Sequence, residues 1–492
     1  MSEKYIIGVD QSTQGTKALL FDETGKLLLR TDKPHKQIIS DQGWVSHDPN
    51  EIYSNTLAVI RELVEKAGID KNAVKGLGIS NQRETSAIWN RETGEPLDNA
   101  IVWQCARATA ITERPEIAAK AEEIRLKTGI NLSPYFPAAK MTWLQENAPG
   151  AAELAAQNKV CFGTIDAWLV YKLTGGKELR TDYSNASRTQ LFNIFDLKWD
   201  DEICALFGID PANLPTVTDS DACFGYTDCG GFFDQPIPIN GVLGDSHAAL
   251  FGQGCHHKGE TKTTYGTGSS IMMNIGTEPV ISTHGVVTSL AWSRGGKAEY
   301  VLEGNLNYTG ATITWLKDDL KLIEGPGVTE ELARAAHQDD EVYFIPAFTG
   351  LGAPYWNSHA KASIVGMDRT TGKNEVVRAV LECIAYQISD IVFAMEEDAK
   401  LKLAQLRVDG GPTRNKYLMQ FQSDILKTEV AVPNAEELSG IGAAYMAGLS
   451  IGVWDESVFD SLSRTSYTPA MPEEKRAAKY AGWKAAVATV LR

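Results

Sequence analysis

The chain has 492 residues, of which 43% are hydrophobic and 22% are charged, and its formal net charge is −16. This length exceeds what one hydrophobic core usually serves, so two or more domains are expected. The composition is that of a soluble globular protein. The negative charge argues against a nucleic-acid partner, which normally requires a basic face, and against adsorption to anionic lipid.

Two further features bear on the cellular compartment. No apolar run is long enough to cross a bilayer, and the start MSEKYIIGVDQST lacks the apolar stretch of a secretory signal. The seven cysteines are scattered without a C-x-x-C pair, which fits reduced thiols better than a disulfide framework or a zinc site. The sequence therefore predicts a cytoplasmic protein with no membrane partner.

The first predicted elements form a β-hairpin. Apolar strands are predicted over 5–9 and 17–22, with the polar segment DQSTQGT between them and a third strand over 27–30. A helix with apolar positions near helical spacing is predicted to begin at Asp48-Pro49, followed by a strand over 74–79. Hairpin strands followed by alternating helix and strand predict a mixed α/β sheet.

The second half repeats this arrangement. A strand that ends at an acid is predicted over 241–245, a Gly/Thr-rich turn over 262–270 and another strand over 271–275. A Gly-rich turn follows at 408–411 and a helix of small residues at 439–453. The repetition predicts two related α/β lobes, residues 1–250 and 251–492, with a cleft between them.

The common nucleotide-binding motifs are absent: we find neither G-x-x-x-x-G-K-[ST] nor a G-x-G-x-x-G placed between a strand and a helix. Three turns rich in Gly, Ser and Thr, at 10–17, 265–269 and 408–411, offer backbone N–H and hydroxyl donors for phosphate oxygens instead. In the first turn Lys17 adds a cation, and Asp10 could hold Mg²⁺ through water. Each turn alone could equally be an ordinary tight turn.

Asp245 follows a strand in the segment GDSHAALFGQG and is the best candidate for a general base. Asp at this place also often caps a helix, here one beginning near Ser246. From the residues alone, both roles stay open.

Long stretches of the chain resemble the FGGY carbohydrate kinases, and the glycerol kinase branch most closely. They run almost from end to end and include GWVSHDP, GISNQRET, NAIVWQC, TDYSNASRTQLFNI, TYGTG, PAFTGLGAPYW, RVDGG, LMQFQSDIL and GAAYMAGL. The resemblance implies an α/β fold of two actin-like, ribonuclease-H-type lobes that close over ATP and substrate. It also implies Mg-ATP-dependent phosphorylation of a hydroxyl of a small polyol or sugar, and a homo-oligomer, dimer or tetramer.

The same resemblance implies roles for individual residues on the acceptor side. Arg83 and Glu84 would bind polyol hydroxyls, since a guanidinium and a carboxylate can share one hydroxyl as donor and acceptor. Trp103 and Tyr135 would line that pocket. Asp245 would accept the proton of the attacking hydroxyl and, with Asp10, would serve the metal.

On the nucleotide side, the resemblance implies seven contact positions: Thr13, Gln14, Lys17, Thr267, Gly310, Gly411 and Asn415. Lys17 stands where glycerol kinases usually carry Arg, so the cation is kept but its bidentate fork is lost. The loop 229–235 lacks the Arg that binds a phosphorylated sugar effector in regulated bacterial glycerol kinases. The resemblance therefore gives no basis for predicting allosteric control of this protein.

Two positions of the presumed pocket depart from glycerol kinases: Ser246 replaces Gln, and Ser270 replaces Phe. Smaller hydroxyl side chains predict a roomier, more polar site and a substrate larger than glycerol, such as a tetritol or a pentulose. In the alternative, His247, a pocket-lining candidate, or a neighbouring loop fills the gap and glycerol remains the substrate. An alternative of another class is an actin-like ATPase without a sugar substrate.

Overall fold

The computed structural model describes residues 3–491. Its strands are β1 (Tyr5–Gln11), β2 (Gly15–Phe21), β3 (Leu27–Pro34), β4 (Ile38–Ile39), β5 (Val45–His47), β6 (Val74–Asn81), β7 (Ser86–Asn90), β8 (Ala100–Ile101), β9 (Val160–Thr164), β10 (Arg180–Asp182), β11 (Phe192–Asn193), β12 (Lys198–Trp199), β13 (Thr216–Thr218), β14 (Cys223–Thr227), β15 (Ile237–Gly244), β16 (Glu260–Tyr265), β17 (Ser269–Gly276), β18 (Val287–Arg294), β19 (Lys297–Leu306), β20 (Tyr343–Ile345), β21 (Ser363–Val365), β22 (Gln405–Asp409), β23 (Val430–Pro433) and β24 (Arg464–Tyr467).

The α-helices lie between these strands and after the last of them. They are α1 (Pro49–Ala67), α2 (Thr109–Thr112), α3 (Pro115–Ala118), α4 (Ala121–Thr128), α5 (Pro137–Asn147), α6 (Ala151–Ala156), α7 (Ile165–Leu173), α8 (Tyr183–Ala186), α9 (Asp201–Leu206), α10 (Asp245–Gly252), α11 (Gly310–Asp318), α12 (Thr329–Ala335), α13 (Lys373–Ala399), α14 (Lys416–Leu426), α15 (Leu438–Ser450) and α16 (Glu473–Ala488).

Two large sheets, one in each half of the chain, share a central arrangement. The first has the strand order β14-β15-β6-β1-β2-β3, and the second has the order β18-β19-β17-β16-β22-β23-β24. In the first sheet β1 pairs antiparallel with β2 and parallel with β6, and in the second β16 pairs antiparallel with β17 and parallel with β22. The prediction of related α/β arrangements in the two halves is confirmed.

Helix α1 covers one face of the first sheet and begins where the sequence predicts. The Asp48 side chain accepts a hydrogen bond from the Asn50 N–H at 2.8 Å, Pro49 is the first helical residue, and Gly68 ends the helix in a left-handed conformation. These are favourable residues for each position, because a cap satisfies a free N–H and Pro has none to satisfy. Strand β1 is buried along its whole length, as expected of a strand between parallel and antiparallel neighbours covered by helices.

A crossed pair of helices, α10 and α15, joins the two sheets. A Cβ on Gly442 would lie 1.8 Å from the Ala248 carbonyl oxygen, so only glycine permits this approach. α15 packs against β1, β6 and β15, whereas α10 also reaches β16, β17 and β18. The small-residue helix predicted over 439–453 is thus confirmed as α15, and the domain boundary at residue 250 stays a prediction.

One sequence interpretation was too wide. The turn predicted over 262–270 occupies only the three residues between β16 and β17, because Lys262 to Thr264 pair with strands on both sides and Tyr265 pairs with β17. The run of threonines there suits a strand, since β-branched side chains pack well on a pleated surface. No helix within residues 3–491 is long and apolar enough to span a membrane, and all seven cysteines are free thiols.

Candidate active site

Two cavities lie side by side, the first lined by residues from both halves of the chain and the second by residues of the second half alone. The Asp245 cavity has a volume of about 560 Å³, and its lining includes Trp103, Tyr135, Asp245, Ser246, Lys262, Ser270 and Asn305. The Asn415 cavity has a volume of about 730 Å³, and its lining includes Tyr265, Gly310, Ile313, Thr329, Leu381, Gly411 and Asn415. The turn residues Gly266 and Thr267 line both cavities, so ligands in the two would meet there.

Asp245 lies at the junction of β15 and α10. Its Oδ1 accepts hydrogen bonds from Arg83 Nε at 3.1 Å and from the Ser246 N–H at 2.6 Å, and its side chain is 36% exposed. The N-cap position belongs to Gly244, and Asp245 is the first helical residue. The carboxylate is therefore oriented by Arg83 and open to the cavity, where it can accept a proton from a bound alcohol.

Four buried charges connect the two lobes beside this carboxylate. Arg83 donates two parallel hydrogen bonds to Glu303 of β19, at 2.8 and 2.9 Å. Arg188 Nε donates to Glu84 at 2.6 Å, and its Nη1 lies 2.8 Å from Glu303. Burial alone would raise the pKa of Glu303, but the charges of Arg188 and Arg83 hold that pKa well below its usual value. Arg83 and Glu84 themselves stand 4.0 Å apart, so each is held mainly by a partner that the sequence did not suggest.

Lys140, a buried residue of α5, holds the backbone of three predicted acceptor-site residues. Its Nζ donates to the carbonyl oxygens of Glu84 at 3.4 Å and Trp103 at 3.1 Å, and also to that of Tyr135. Glu84 has a φ of 58°, a left-handed conformation that costs a non-glycine residue energy. Burial lowers the pKa of Lys140 to about 7. Lys140 therefore fixes the wall of the Asp245 cavity from behind.

Trp103 and Tyr135 form the aromatic part of that wall. Their rings meet edge to face with centroids 5.7 Å apart, and the Trp103 Nε1 donates to Thr13 Oγ1 at 2.9 Å. Thr13 belongs to the first predicted phosphate turn. This hydrogen bond therefore places that turn directly beside the Asp245 cavity.

Four of the seven predicted nucleotide positions come together in the lining of the Asn415 cavity: Thr267, Gly310, Gly411 and Asn415. The Gly310 N–H donates to the Gly266 carbonyl at 2.9 Å, and a Cβ at Gly310 would lie 2.4 Å from that oxygen. Asn415 caps α14 by accepting from the Leu418 N–H at 2.9 Å. Backbone contacts at close range thus shape this cavity.

The remaining predicted nucleotide positions lie in the first lobe. Thr13 and Gln14 are in the turn between β1 and β2, and Lys17 on β2 pairs with Glu437 at 2.7 Å. Asp10 is buried and accepts from Ser80 Oγ at 3.1 Å. Burial, reinforced by the charge of Asp245, raises the pKa of Asp10 to about 6. Two carboxylates that repel each other in this way form a place that favours a cation.

Ser246 and Ser270 both lie in the lining of the Asp245 cavity. Ser270 Oγ is buried and has no hydrogen-bond partner among the described residues. His247 is fully buried, with its Nε2 3.1 Å from Ser289 Oγ, and it does not line this cavity. Its prediction as a pocket-lining residue is wrong, because a residue two positions after Asp245 points to the opposite side of the helix.

Four charged residues at the site were missed by sequence reasoning: Lys140, Arg188, Lys262 and Glu303. Each is at most 1% exposed. Lys140 and Glu303 interrupt mainly apolar stretches, and a charge within such a segment is rare unless it has a partner or a ligand. Arg188 and Lys262 lie among polar neighbours, so no local signal marks them.

Comparisons with known proteins cover nearly the whole chain. The N-terminal domain of the FGGY family of carbohydrate kinases matches residues 5–252, and the C-terminal domain of that family matches residues 261–451. Glycerol kinase 1 of Thermotoga maritima is 46% identical over 490 residues, covering 99% of both chains. The glycerol kinase of Staphylococcus haemolyticus is 44% identical over 490 residues, 99% of this chain and 98% of that one.

Solved structures agree with these sequence matches. Plasmodium falciparum glycerol kinase with ADP superposes with a TM-score of 0.94 and 37% identity, covering 99% of this chain and 98% of that chain. A ligand-bound xylulose kinase from Lactobacillus acidophilus, at 22% identity, has a TM-score of 0.87 with coverage of 99% and 98% and shows the fold alone. The predicted fold class, α/β with two actin-like lobes, is confirmed.

Proposed function

Because the chain belongs to the FGGY family of carbohydrate kinases, we propose that it transfers the γ-phosphoryl group of ATP to a terminal hydroxyl of glycerol, giving glycerol 3-phosphate. Membership makes it an ATP-using phosphotransferase with an alcohol group as acceptor. The observation that carries the proposal is the shared Gly266–Thr267 turn, which joins the cavity of the Asp245 carboxylate to the cavity of the predicted nucleotide residues.

The prediction of a substrate larger than glycerol is wrong. Relatives that are 44–46% identical over nearly the full length are named glycerol kinases. That prediction rests on the small side chains of Ser246 and Ser270 alone. The large side chains of Trp103, Tyr135 and Lys262 also line the Asp245 cavity and limit its size. The alternative with glycerol as the substrate is therefore favoured, and the actin-like ATPase is not supported.

On the acceptor side, Arg83 and Glu84 would bind glycerol hydroxyls beside the Trp103–Tyr135 wall. Both are buried next to the Asp245 cavity and are not themselves in its lining. The attacking oxygen forms a bond to the γ-phosphorus while the bond from that phosphorus to the β,γ-bridging oxygen breaks, and ADP leaves with the electron pair. The proton of the hydroxyl passes to the Asp245 carboxylate. Arg83, which donates to Asp245 Oδ1, fixes the carboxylate for this transfer.

On the nucleotide side, the Asn415 cavity would take the adenosine, with its walls formed by Thr267, Gly310, Gly411 and Asn415. Thr13, Gln14 and Lys17 would face the phosphates from the first lobe, with Lys17 released from Glu437 to do so. Backbone N–H groups of such turns suit phosphate oxygens because they supply donors without side-chain ordering.

The carboxylates of Asp10 and Asp245 fit a magnesium ion. Within residues 3–491 no group of three or more His, Cys, Asp or Glu could hold a metal by itself. Mg²⁺, however, is usually held by one or two carboxylates together with phosphate oxygens and water. When bound, it would supply positive charge at the β- and γ-phosphates. The raised pKa of Asp10 is the expected property of a carboxylate that awaits such a cation.

A cytoplasmic location is proposed on the strength of the seven unpaired thiols, which suit a reducing compartment. The dimer or tetramer stays a prediction from the family resemblance.

The proposal is tested by incubating the chain with Mg-ATP and glycerol and measuring ADP release. The product is then identified by phosphorus NMR. One glycerol 3-phosphate per ADP supports the proposal. ADP release without any phosphorylated glycerol would refute it.

A further inference from the structure

Lys262 is a buried cation at the edge of the Asp245 cavity. It lies in the middle of β16, is 1% exposed, and belongs to the lining that also contains Asp245, Thr267 and Ser270. Its register places it opposite Met272 of β17 and Arg407 of β22. The side chain therefore reaches the Asp245 cavity from the second sheet, in a lining that also contains the turn shared by the two cavities.

The ammonium group has no carboxylate within salt-bridge distance in the described part of the chain, unlike its charged neighbours. Arg407 on the adjacent strand pairs with Glu260 at 3.0 Å, and Arg83 pairs with Glu303. The hydrogen bond found for Lys262 Nζ goes to Thr264 Oγ1 at 3.0 Å. An ammonium has three N–H donors, so two remain for another partner.

This situation is costly for the protein unless an anion arrives. An ionised ammonium taken out of water is strongly destabilised without an opposite charge. In agreement, burial lowers the pKa of Lys262, and the largest opposing influence is the charge of the buried Asp409, followed by those of Glu303 and Asp245. Thr264 accepts from Lys262 and lies opposite Asp409 in the register of β16 and β22, and the Asp409 carboxylate itself accepts a hydrogen bond from Gln253 Nε2 at 3.1 Å.

We propose that Lys262 Nζ binds the terminal phosphoryl group of ATP and neutralises charge on it during transfer to the acceptor hydroxyl. The inference rests on the proposed function and deepens it by adding a further catalytic residue from the second lobe. Asp245 receives the proton of the attacking hydroxyl. Lys262, on the second sheet, contacts the oxygens of the phosphoryl group that is transferred. Charge-assisted hydrogen bonds to phosphate are among the strong ones in proteins, and no carboxylate of the described residues, Asp245 included, is within salt-bridge distance of the Lys262 ammonium to compete for these donors.

The competing explanation is a structural one, in which Lys262 only balances Asp409 through Thr264. The two explanations predict different effects on ADP, which lacks the terminal phosphoryl group, and on ATP, which has it. A structural lysine would affect ADP and ATP equally, whereas a lysine that contacts the terminal phosphoryl group would affect only the nucleotide that has one.

The test compares Lys262→Met with Lys402→Met, a matched control whose side chain is 89% exposed and away from the cleft. Calorimetry measures the affinity for ADP and for the β,γ-imido analogue of ATP. We expect Lys262→Met to weaken the analogue at least about tenfold and ADP by no more than about twofold. In the glycerol assay its kcat should fall about 10²- to 10³-fold. The control should match the wild type in all three measurements.

Equal losses for ADP and the analogue, or no loss for either, would overturn the inference. If circular dichroism shows that Lys262→Met is unfolded, Lys262→Gln, which keeps a donor for Thr264 without the charge, is judged by the same affinity ratio. The binding measurements need no acceptor. A wild type that fails to phosphorylate glycerol would therefore refute the proposed function, while the ratio would still decide the role of Lys262.

Discussion

The Asp245 cavity is lined by residues from both halves of the chain, whereas the lining of the Asn415 cavity comes from the second half alone. Beside the first cavity, buried charged side chains hold one another, as Glu303 holds Arg83. At the second, backbone groups make close contacts, as between Gly310 and Gly266. Substitutions among the buried charges should therefore change stability and acceptor binding together, and those beside the second cavity should change nucleotide binding with smaller effects on stability.

The largest effect is expected from Asp245→Asn. The amide cannot accept the proton of the attacking hydroxyl, so kcat with glycerol should fall about 10²- to 10⁴-fold. The Asn415 cavity is untouched, so ADP affinity measured by calorimetry should stay that of the wild type. Turnover near the wild-type rate would remove Asp245 as the base.

Breaking the buried charge network should cost the most stability. Glu303→Gln leaves Arg83 and Arg188 without their shared carboxylate, and removal of one partner of a buried pair costs about 3–5 kcal/mol. Urea unfolding measures this loss, with the exposed Glu95→Gln as the matched control. Equal free energies of unfolding for the two variants would show that the network contributes nothing.

Asp10 offers a pH-dependent way to sharpen the comparison, because burial raises its pKa from 3.8 to about 6 in the folded protein. The folded state then holds the proton more tightly than the unfolded state. The resulting stability is fully present below about pH 4 and is lost as the pH rises through 6. This rise in pKa corresponds to about 3 kcal/mol. The free energy of unfolding of Asp10→Asn should therefore exceed that of the wild type by about this amount at pH 7.

Denaturant titrations of both proteins between pH 4 and pH 7 check this expectation. The two free energies of unfolding should converge near pH 4. A difference that stays constant across the range would contradict the raised pKa of Asp10. The same variant should lose transferase activity if this carboxylate serves the metal.

Lys140→Met should produce a smaller effect, confined to the acceptor. Without its ammonium, the carbonyls of Glu84, Trp103 and Tyr135 lose their common donor, and the wall of the Asp245 cavity loosens. We expect the KM for glycerol to rise about tenfold, equivalent to about 1.4 kcal/mol, while the KM for ATP is unchanged. Lys140→Arg, which retains donors, should recover part of the loss. Parallel rises in both KM values would indicate general loosening of the fold instead.

The smallest effect is expected from Asn415→Ala beside the nucleotide cavity. Loss of the α14 cap should cost about 1 kcal/mol of stability, and the KM for ATP should rise. The KM for glycerol should stay the same in steady-state titrations. A larger change in the KM for glycerol than in the KM for ATP would contradict the assignment of the Asn415 cavity to the nucleotide.

Local features of this structure could be predicted from the sequence because local rules determine them. The first hairpin, the start of α1 at Asp48-Pro49 and the small-residue helix α15 follow from alternation, capping and residue size. The predicted turn at 262–270 is wider than the observed one, because threonines are common in turns but also favour strands. Element ends are decided by pairing with strands such as β22, which lies far along the chain.

Long-range partners could not be predicted. Glu303 and Arg83 are 220 positions apart in the sequence, and no local sequence pattern predicts such a pair. The resemblance placed Arg83, Glu84 and Asp245 at the site, but it did not supply Arg188, Glu303 or Lys140, which hold them. The substrate-size prediction failed for the same reason: it counted two side chains of a cavity whose other walls come from distant segments.

A competition measurement tests the central claim most directly. Glycerol, a tetritol and a pentulose are mixed at equal concentrations with limiting Mg-ATP, and phosphorus NMR records how the phosphate is distributed among the products. The account predicts that glycerol 3-phosphate dominates. A tetritol phosphate or pentulose phosphate as the main product would contradict it.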